Sequence, residues 1–373
     1  MAKTRSMTRK QKRLKTSEDG GSASWSDLFR DLLIIVMMRL GLVDFVSFSG
    51  VCKRWRSIAH SEWKTFMGCK VPMCMFFFTS NRRGLRLEDF EGRRFKTIRR
   101  HVTHRTCVGS TRGYLIMFGS LIRDFWLVNP ITRHEFHFTD FPWNQDTYHP
   151  AYLRGILVYS RSMSGWVFVV SHKLSNTISF SLAGKHTRWN HIFSSVPILD
   201  MHLFKGKIYS LNILTDLCEV KLEPEPTLLL IRIKNFTMPK TDQIELVSSG
   251  KNLYVVGWVT KSMYKVLEVN FDTMEWENPE KTVGQYAFYF SGMCTSSAAA
   301  SAIEPNTQAC GRGRTQSNII CFRSEDQIKK ESGLRTLATN MWYFPQDCLN
   351  VKLALMGEME DYCSCIFVYL IFI

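Results

Sequence analysis

The sequence predicts a mainly β protein with a small α-helical module at its N-terminus, and the β part is predicted to be a propeller of about six blades. Two observations predict this division. Hydrophobic residues recur at helical spacing in the segment 25–60. From about residue 70 the pattern changes to short runs rich in Val, Ile, Phe, Tyr and Trp, which suit pleated strands. No long helical period separates these runs, so a parallel sheet with crossover helices is not expected.

Three short helices are predicted in the N-terminal module. The apolar residues of the first recur every four positions and share one helix face; they are Leu28, Leu32, Val36 and Leu40. Gly41 breaks this helix, and Asp44 is predicted to cap the second. The third is marked by Val51, Cys52, Trp55 and Ile58. Three short helices cannot bury this much apolar surface alone, so the module needs a partner or the rest of the chain to cover it.

Basic residues are concentrated in two places, which together carry most of the net charge of +15. Residues 1–15 hold seven Lys and Arg and no acid, and residues 82–105 hold nine against three acids. We predict that residues 1–24 form a basic disordered tail. This tail is either a nuclear-import signal or a solvated basic segment with no targeting function. The second cluster is either a basic rim of the large domain or a contact surface for an acidic partner.

Twelve segments after residue 70 are predicted strands. They lie at 73–79, 113–118, 125–129, 155–160, 165–171, 177–182, 206–211, 228–233, 252–259, 264–271, 286–290 and 318–322. So many short strands imply a propeller or a large sandwich. A faint repeat favours the propeller: VNPIT at 128–132 matches VNFDT at 269–273, and the offset of 141 residues divides into three units of 47, the length of a propeller blade.

The predicted division of the chain is a tail at 1–24, the helical module at 25–60, a linker at 61–72 and the propeller at 73–373. The last eight residues, IFVYLIFI at 366–373, are predicted to pair into the first blade and so hide their own edge. Neither this run nor the apolar run at 32–38 approaches the roughly 20 residues of a membrane-spanning helix, so no membrane association is expected.

The helical module resembles the F-box, the adaptor-binding module of cullin-RING ubiquitin ligases. Its pattern is Leu-Pro-x-Asp-Leu-Leu, an aliphatic residue, Arg-Leu, Asp, and a final Val-Cys-x-x-Trp. The residues in register are Leu28, Asp31, Leu32, Leu33, Val36, Arg39, Leu40, Asp44, Val51, Cys52 and Trp55. Phe29 departs from the pattern because it replaces the proline that pre-organises the first helix, and we expect this to lower the affinity for the adaptor.

This resemblance implies binding to a Skp-type adaptor and, through it, to a cullin. The residues expected to bind the adaptor are Trp25, Leu28, Phe29, Leu32, Leu33, Val36, Leu40, Val51, Cys52 and Trp55.

The remainder of the chain is similar to the kelch-related β-propeller domain that follows the F-box in a large plant-specific family of F-box-associated proteins. The similar segments are STRGYLIMF at 110–118, WLVNPITRHEFHFTDFP at 126–142, GKIYSL at 206–211, FDTMEW at 271–276 and NIICF at 318–322. Two departures are Thr111 in place of serine and Cys321 in place of tyrosine. The resemblance implies a propeller that binds a target protein.

Catalytic and metal-binding motifs are missing from the sequence, and we predict neither an enzyme nor a cofactor. There is no phosphate-binding GxxxxGK[ST], no HExxH and no GxSxG. His134 and His137 would point to opposite faces of a strand, so they do not suit one metal ion. His101, His104 and Cys107 have the spacing of a helix, and Cys363 and Cys365 lack further clustered ligands. Cys52 is predicted to be a small buried hydrophobe and not a nucleophile.

These observations lead to one principal hypothesis and two alternatives. The principal hypothesis is a non-catalytic F-box substrate receptor of an SCF-type ligase, which recruits a target protein for ubiquitination. The first alternative is a basic nucleic-acid-associated propeller scaffold, based on the tail and on Arg312-Gly313-Arg314; its basic clusters lack the interleaved aromatics that stack bases, so nucleic acid is not an expected partner. A propeller enzyme is the second. Eleven scattered cysteines and a basic, polar N-terminus predict a protein of the nucleus or cytoplasm, or both.

Overall fold

A computed structural model describes most of the helical module and the sheets that follow it. The described residues are 25, 28–68, 73–77, 84–88, 93–98, 105–143, 149–184, 188–238, 244–249, 252–258, 264–279, 286–290, 300–301, 314–316, 319–323 and 341–343. The predicted basic tail, the apolar run at 366–373, the Arg-Gly pair at 312–313, and the residues His101, His104, Cys363 and Cys365 lie outside them.

The module consists of three helices, as predicted: α1 (Arg30–Arg39), α2 (Leu42–Gly50) and α3 (Lys53–Gly68). Gly41 does separate the first two, and its extended backbone makes it the N-cap residue of α2. The prediction that Asp44 caps α2 is wrong: Asp44 lies in the first turn, where its charge favours the helix dipole. Helix α3 continues through most of the predicted linker, so residues 61–68 are helical.

The described strands form six four-stranded sheets, called blades 1 to 6. Blade 1 contains β1 (Met73–Phe77), β2 (Gly84–Glu88), β3 (Arg94–Ile98) and the last of the described strands, β24 (Met341–Tyr343). Blade 2 contains β4 (Thr106–Thr111), β5 (Tyr114–Gly119), β6 (Asp124–Val128) and β7 (Glu135–Phe138). Blade 3 contains β8 (Leu153–Ser160), β9 (Gly165–His172), β10 (Thr177–Leu182) and β11 (Asn190–Phe193).

Blade 4 contains β12 (Ile198–Phe204), β13 (Lys207–Asn212), β14 (Leu217–Lys221) and β15 (Thr227–Ile231). Blade 5 contains β16 (Ile244–Ser249), β17 (Asn252–Trp258), β18 (Tyr264–Asn270) and β19 (Glu275–Glu277). Blade 6 contains β20 (Tyr286–Phe290), β21 (Ala300–Ser301), β22 (Arg314–Gln316) and β23 (Ile319–Arg323).

Blades 2 to 5 are simple antiparallel meanders whose first strands contact one another in series, β4 with β8, β8 with β12 and β12 with β16. These strands therefore line the centre of the propeller. Blade 6 is irregular, because β20 pairs with β23 in parallel. Strand β24 pairs antiparallel with β1 and completes blade 1. The described strands beside β1 are thus β2 and the strand at 341–343; the run at 366–373, predicted to pair into this blade, lies outside the described residues.

The predicted sequence repeat corresponds to a repeated turn in blades 2 and 5, which are three blades apart. In blade 2, the side-chain oxygen of Asn129 accepts hydrogen bonds from the backbone N–H groups of Ile131 and Thr132, at 3.0 and 2.9 Å. Asn270 makes the same pair of bonds in blade 5, at 3.0 and 3.1 Å. Both turns join the third strand of a blade to the fourth, so the predicted blade period is confirmed at this position.

Side-chain bonds between inner strands join neighbouring blades. On β12, the buried carboxylate of Asp200 accepts a bond from the Arg154 guanidinium on β8, at 3.2 Å, and from the backbone N–H of Leu246 on β16, at 2.7 Å. One side chain therefore connects blades 3, 4 and 5. Burial raises the pKa of Asp200, and the charge of Arg154 opposes this rise.

The helical module packs directly on the propeller and shares a hydrophobic core with it. The module contributes Leu33, Met37, Phe45 and Phe66, among others, and the propeller contributes Met73, Leu87, Cys107, Leu115, Met117 and Ile131. The core therefore buries one side of the module against blades 1 and 2, which leaves the opposite side of α1 for solvent or a partner.

Candidate functional site

Helix α1 is apolar on two faces, and only one of them is buried in the shared core. Leu33 and Met37 are fully buried in the shared core, while Leu32, Ile35 and Val36 are exposed on the other side. A helix that is apolar all round normally lies inside a protein. The exposed face of α1 is therefore suited to a partner.

The exposed large apolar side chains of the module form the candidate site, called the module surface. It consists of Trp25, Phe29, Leu32, Ile35, Val36 and Val51. Five of these six were expected to bind the adaptor. Ile35 was not, although it belongs to the same apolar run, because the four-residue spacing used to select α1 positions passes over it.

The other expected adaptor residues lie deeper. Leu33 is 0% exposed and belongs to the shared core, so it supports α1 from beneath. Leu28, Leu40, Cys52 and Trp55 are half-buried. The thiol of Cys52 accepts a hydrogen bond from the backbone N–H of Trp55 at 3.5 Å. Cys52 was predicted to be buried, but it is only half-buried.

Trp55 links the module surface to the helices beneath it. Its ring packs against Phe48 of α2 with a centroid separation of 4.5 Å. Its indole N–H donates a hydrogen bond to the backbone carbonyl of Trp25 at 3.3 Å. This bond fixes the backbone of Trp25 next to α3, so the exposed Trp25 ring is held beside the module and not on a free tail.

Contacts between the helices hold α1 in place. The guanidinium of Arg30 donates to the carboxylate of Glu62 at 2.7 Å and to the hydroxyl of Ser61 at 3.0 Å, joining the start of α1 to α3. Phe45 and Phe66 stack with their centroids 4.1 Å apart, joining α2 to α3. The module surface is therefore preformed, which lowers the entropy cost of binding.

Phe29 is the N-cap residue of α1 and is 77% exposed. Its carbonyl accepts the first helical bond, from Leu33 at 3.1 Å, but no side-chain cap satisfies the other N-terminal groups. Its φ of −55° lies within the range to which proline is restricted. The φ angle at Phe29 is thus one that the F-box proline would also adopt. Phenylalanine has no ring closure that restricts φ to this value.

In the propeller, His134 and His137 have different partners. The Nδ1 atom of His134 lies 2.9 Å from the Tyr114 hydroxyl, whereas His137 Nε2 lies 3.0 Å from a carboxylate oxygen of Asp124. Within the described part of the chain, no group of three or more His, Cys, Asp or Glu side chains is arranged to hold a metal ion.

The buried carboxylate of Asp124, on β6, is a hub that accepts hydrogen bonds from three neighbouring side chains. It accepts bonds from Arg105 Nε at 3.0 Å, His137 at 3.0 Å and Trp126 Nε1 at 3.1 Å. Burial raises the pKa of Asp124, but the hydrogen bonds and charges of Arg105 and His137 outweigh this effect and hold the pKa below its usual value. The hub is a structural ion cluster inside blade 2.

One pair in the inner strands has the residue types of a nucleophile and its base. The imidazole Nε2 of His202 on β12 lies 2.9 Å from the hydroxyl of Ser248 on β16. Burial lowers the pKa of His202 to about 4. An efficient general base has a pKa near the working pH, so this imidazole would accept a proton poorly at neutral pH. We interpret the pair as another bond between blades.

Two family models match the chain. Residues 25–67 match the F-box domain, and residues 82–340 match the KIB1-4 β-propeller. The second match covers more than half of the chain, so the chain belongs to the KIB1-4 β-propeller family. The predicted order of an F-box followed by a propeller is confirmed. The kelch relationship and the plant origin stay predictions.

No curated protein matches the chain, and its similarity to solved structures is low. The WD40 domain of SCAP from fission yeast is 11% identical with a TM-score of 0.34; the match covers 52% of this chain and 46% of that one. Virginiamycin B lyase from Staphylococcus aureus, bound to quinupristin, is 7% identical with a TM-score of 0.34, covering 54% and 67%.

F-box domains generally bind Skp-type adaptors, and an F-box followed by a propeller is typical of non-catalytic subunits. Within the part of the chain that the structure describes, no helix combines the length and apolar character needed to span a membrane.

Proposed function

We propose that this F-box protein with a KIB1-4 β-propeller is a substrate receptor of an SCF-type cullin-RING ubiquitin ligase. The module surface docks on a Skp-type adaptor, which connects it to a cullin, and the propeller holds a target protein. The receptor itself performs no chemistry. It raises the local concentration of the target near the ubiquitin-loaded enzyme. We also propose that the protein acts in the nucleus or the cytoplasm.

The observation that carries the proposal is the exposed apolar face of α1. Full burial of a large apolar side chain is worth roughly 1.5–3 kcal/mol relative to full exposure. In the free protein about half of this burial free energy is not gained at three residues of α1, each 42–53% exposed: Leu32, Ile35 and Val36. A partner that covers them recovers this free energy, and the F-box match supports a Skp-type adaptor as that partner.

The test is a pull-down with a purified Skp-type adaptor. Leu32→Asp places a charge in the module surface without touching the shared core, so we expect it to abolish recovery of the adaptor. The matched control is Leu230→Asp on β15, a leucine of similar exposure on the outer strand of blade 4 (52% against 47%). Equal recovery of the adaptor by both variants would contradict the proposal.

The nucleic-acid alternative makes a different prediction for the wild-type protein and Leu32→Asp. Binding to nucleic acid through the basic tail would give retention on heparin that falls steeply with salt and does not change in Leu32→Asp. Adaptor recovery that depends on Leu32 favours the receptor instead.

A further inference from the structure

The turns of blades 2 to 4 differ sharply between the two faces of the propeller. Turns joining the first and second strands carry basic or small polar tips; examples are Arg112-Gly113 and Lys205-Gly206. Turns joining the second and third strands carry exposed apolar tips instead, namely Leu121, Ile122, Leu174, Ile213 and Leu214. Because successive strands of a meander alternate in direction, these two sets of turns lie on opposite faces.

Backbone hydrogen bonds bring the apolar tips of blades 3 and 4 together. The N–H of Leu174 donates to the carbonyl of Ile198 at 2.7 Å, and the N–H of Ile213 donates to the carbonyl of Pro197 at 2.9 Å. Both turns are thus anchored to two consecutive residues. The N–H of Lys173 also donates to the carbonyl of Tyr152 at 2.9 Å, which adds the Tyr152 side chain to the group.

These four side chains form a surface that is called the loop patch: Tyr152, Leu174, Ile213 and Leu214. Each is at least 44% exposed. Backbone bonds fix the turns that carry Leu174 and Ile213, so these apolar tips lie on a defined backbone. Contiguous exposed apolar surface on a soluble protein commonly marks an interaction site.

A pocket of about 250 Å³ adjoins the loop patch on the side of blade 3. Its lining is mixed: it includes the apolar rings of Phe141, Trp143 and the exposed Phe193, and the polar side chains of Ser179 and His191. The ring of His172 also lines the pocket and lies 5.8 Å from the ring of Tyr152, so pocket and patch are neighbours.

The size and lining of this pocket indicate what occupies it. Pockets for small molecules usually measure about 300–1,000 Å³, so this one is better matched to a single large side chain. Tyrosine or tryptophan combines an apolar ring with a polar atom, which suits a lining of both apolar rings and polar side chains. The same set of turns carries two basic residues, Arg123 and Lys173, and one acidic residue, Asp216, whose carboxylate accepts a bond from Asn212 at 3.1 Å. Their net positive charge favours an acidic neighbour in the bound segment.

We propose that the loop patch and its pocket dock the target protein, through a segment that places one tyrosine or tryptophan in the pocket, aliphatic residues on the patch and an acidic residue nearby. This inference rests on the proposed receptor function and specifies the surface that performs it.

The test uses the full-length chain, bound to its adaptor, to select from a phage-displayed library of short random peptides. We expect the selected peptides to contain an aromatic residue beside aliphatic and acidic ones. The double variant Ile213→Asp/Leu214→Asp should weaken their binding at least about tenfold, since central apolar anchors dominate interface energy. Phe193→Ser changes an exposed residue that lines the pocket. It should weaken the binding of peptides that contain a tyrosine or tryptophan more than the binding of the same peptides with alanine at that position.

The matched control is Leu229→Asp/Leu230→Asp, two exposed leucines on β15 of the same blade but away from these turns. It should leave peptide binding unchanged. Failure to enrich any peptide, or equal loss in the patch and control variants, would overturn the inference. Recovery of the adaptor by all variants is measured in parallel: if it persists while peptide selection fails, the docking assignment is wrong and the receptor proposal stands.

Discussion

Two neighbouring leucines of α1 provide a direct test of how the module divides its apolar residues. Leu33 is 0% exposed and lies in the shared core, whereas Leu32 is 47% exposed on the module surface. Leu33→Ala removes a fully packed side chain and should destabilise the module by about 2–5 kcal/mol. Leu32→Ala removes atoms that are already half in water, so its effect on stability should be about 1 kcal/mol or less.

For adaptor binding we expect the opposite order: Leu32→Ala should lower the affinity directly, and Leu33→Ala should not. If the adaptor covers the exposed half of Leu32, burial of that half contributes about 1 kcal/mol, and Leu32→Ala should weaken binding about fivefold. Leu33→Ala should reduce binding only by reducing the folded fraction of the module.

Hydrogen exchange of α2 and α3 in the full chain reports the local stability, and calorimetry with the adaptor reports the affinity. Unchanged affinity in Leu32→Ala, or equal loss of exchange protection in both variants, would refute the division of α1 into a core face and a docking face.

Other predictions follow from the N-cap, the ion cluster and the blade packing. Phe29→Pro should raise the adaptor affinity by about 0.5–1 kcal/mol through pre-organisation, measured by calorimetry; weaker binding would show that the exposed ring makes its own contact. The lowered pKa of Asp124 stabilises the fold above the unfolded pKa of about 3.9, and this contribution is lost as the pH falls through the folded-state pKa, so Asp124→Asn should flatten acid unfolding followed by circular dichroism. Gly155→Ala would place a methyl group 2.8–2.9 Å from core atoms and should destabilise the fold by about 1–3 kcal/mol in denaturant titration, whereas Gly184→Ala, with open space around it, should not. A similar loss in both glycine variants would contradict the packing explanation.

Local sequence signals were enough to predict the three helices, the propeller class and twelve of the 24 described strands. Strands such as Thr177–Leu182 and Tyr286–Phe290 match their predicted bounds, because short β-branched and aromatic runs carry a strong signal. The Asn-x-x-Thr turns were detectable because one side chain determines the local hydrogen bonds. The closing strand at Met341–Tyr343 was missed, since its pairing with β1 spans most of the chain and leaves no local pattern.

For the candidate site, too, the sequence predicts local positions but not tertiary contacts. Periodicity places Leu32 and Val36 on one face of α1 but cannot say whether that face meets the propeller or solvent. Because α1 is apolar on both sides, only the tertiary packing distinguishes Leu33 from Ile35. The loop patch was likewise not predictable, since it depends on turns from two blades that are brought together by bonds to residues 197–198.

The shared core also changes how the receptor model should be tested by deletion. Removing residues 25–60 would cut α3 in two and uncover Leu87, Leu115 and Met117 on the side of the propeller. We therefore expect this deletion to lower the solubility and thermal stability of the propeller, so that a loss of target binding would not be informative.

If the module binds the adaptor and the propeller binds the target, as proposed, the shared core sets their relative orientation, because it joins the module to blades 1 and 2. Surface variants separate the two functions without disturbing it. Leu32→Asp should keep binding of the selected peptides while losing the adaptor, and Ile213→Asp/Leu214→Asp should do the reverse, with circular dichroism unchanged in both. A single variant that abolished both activities in a folded protein would show that the two surfaces are not independent.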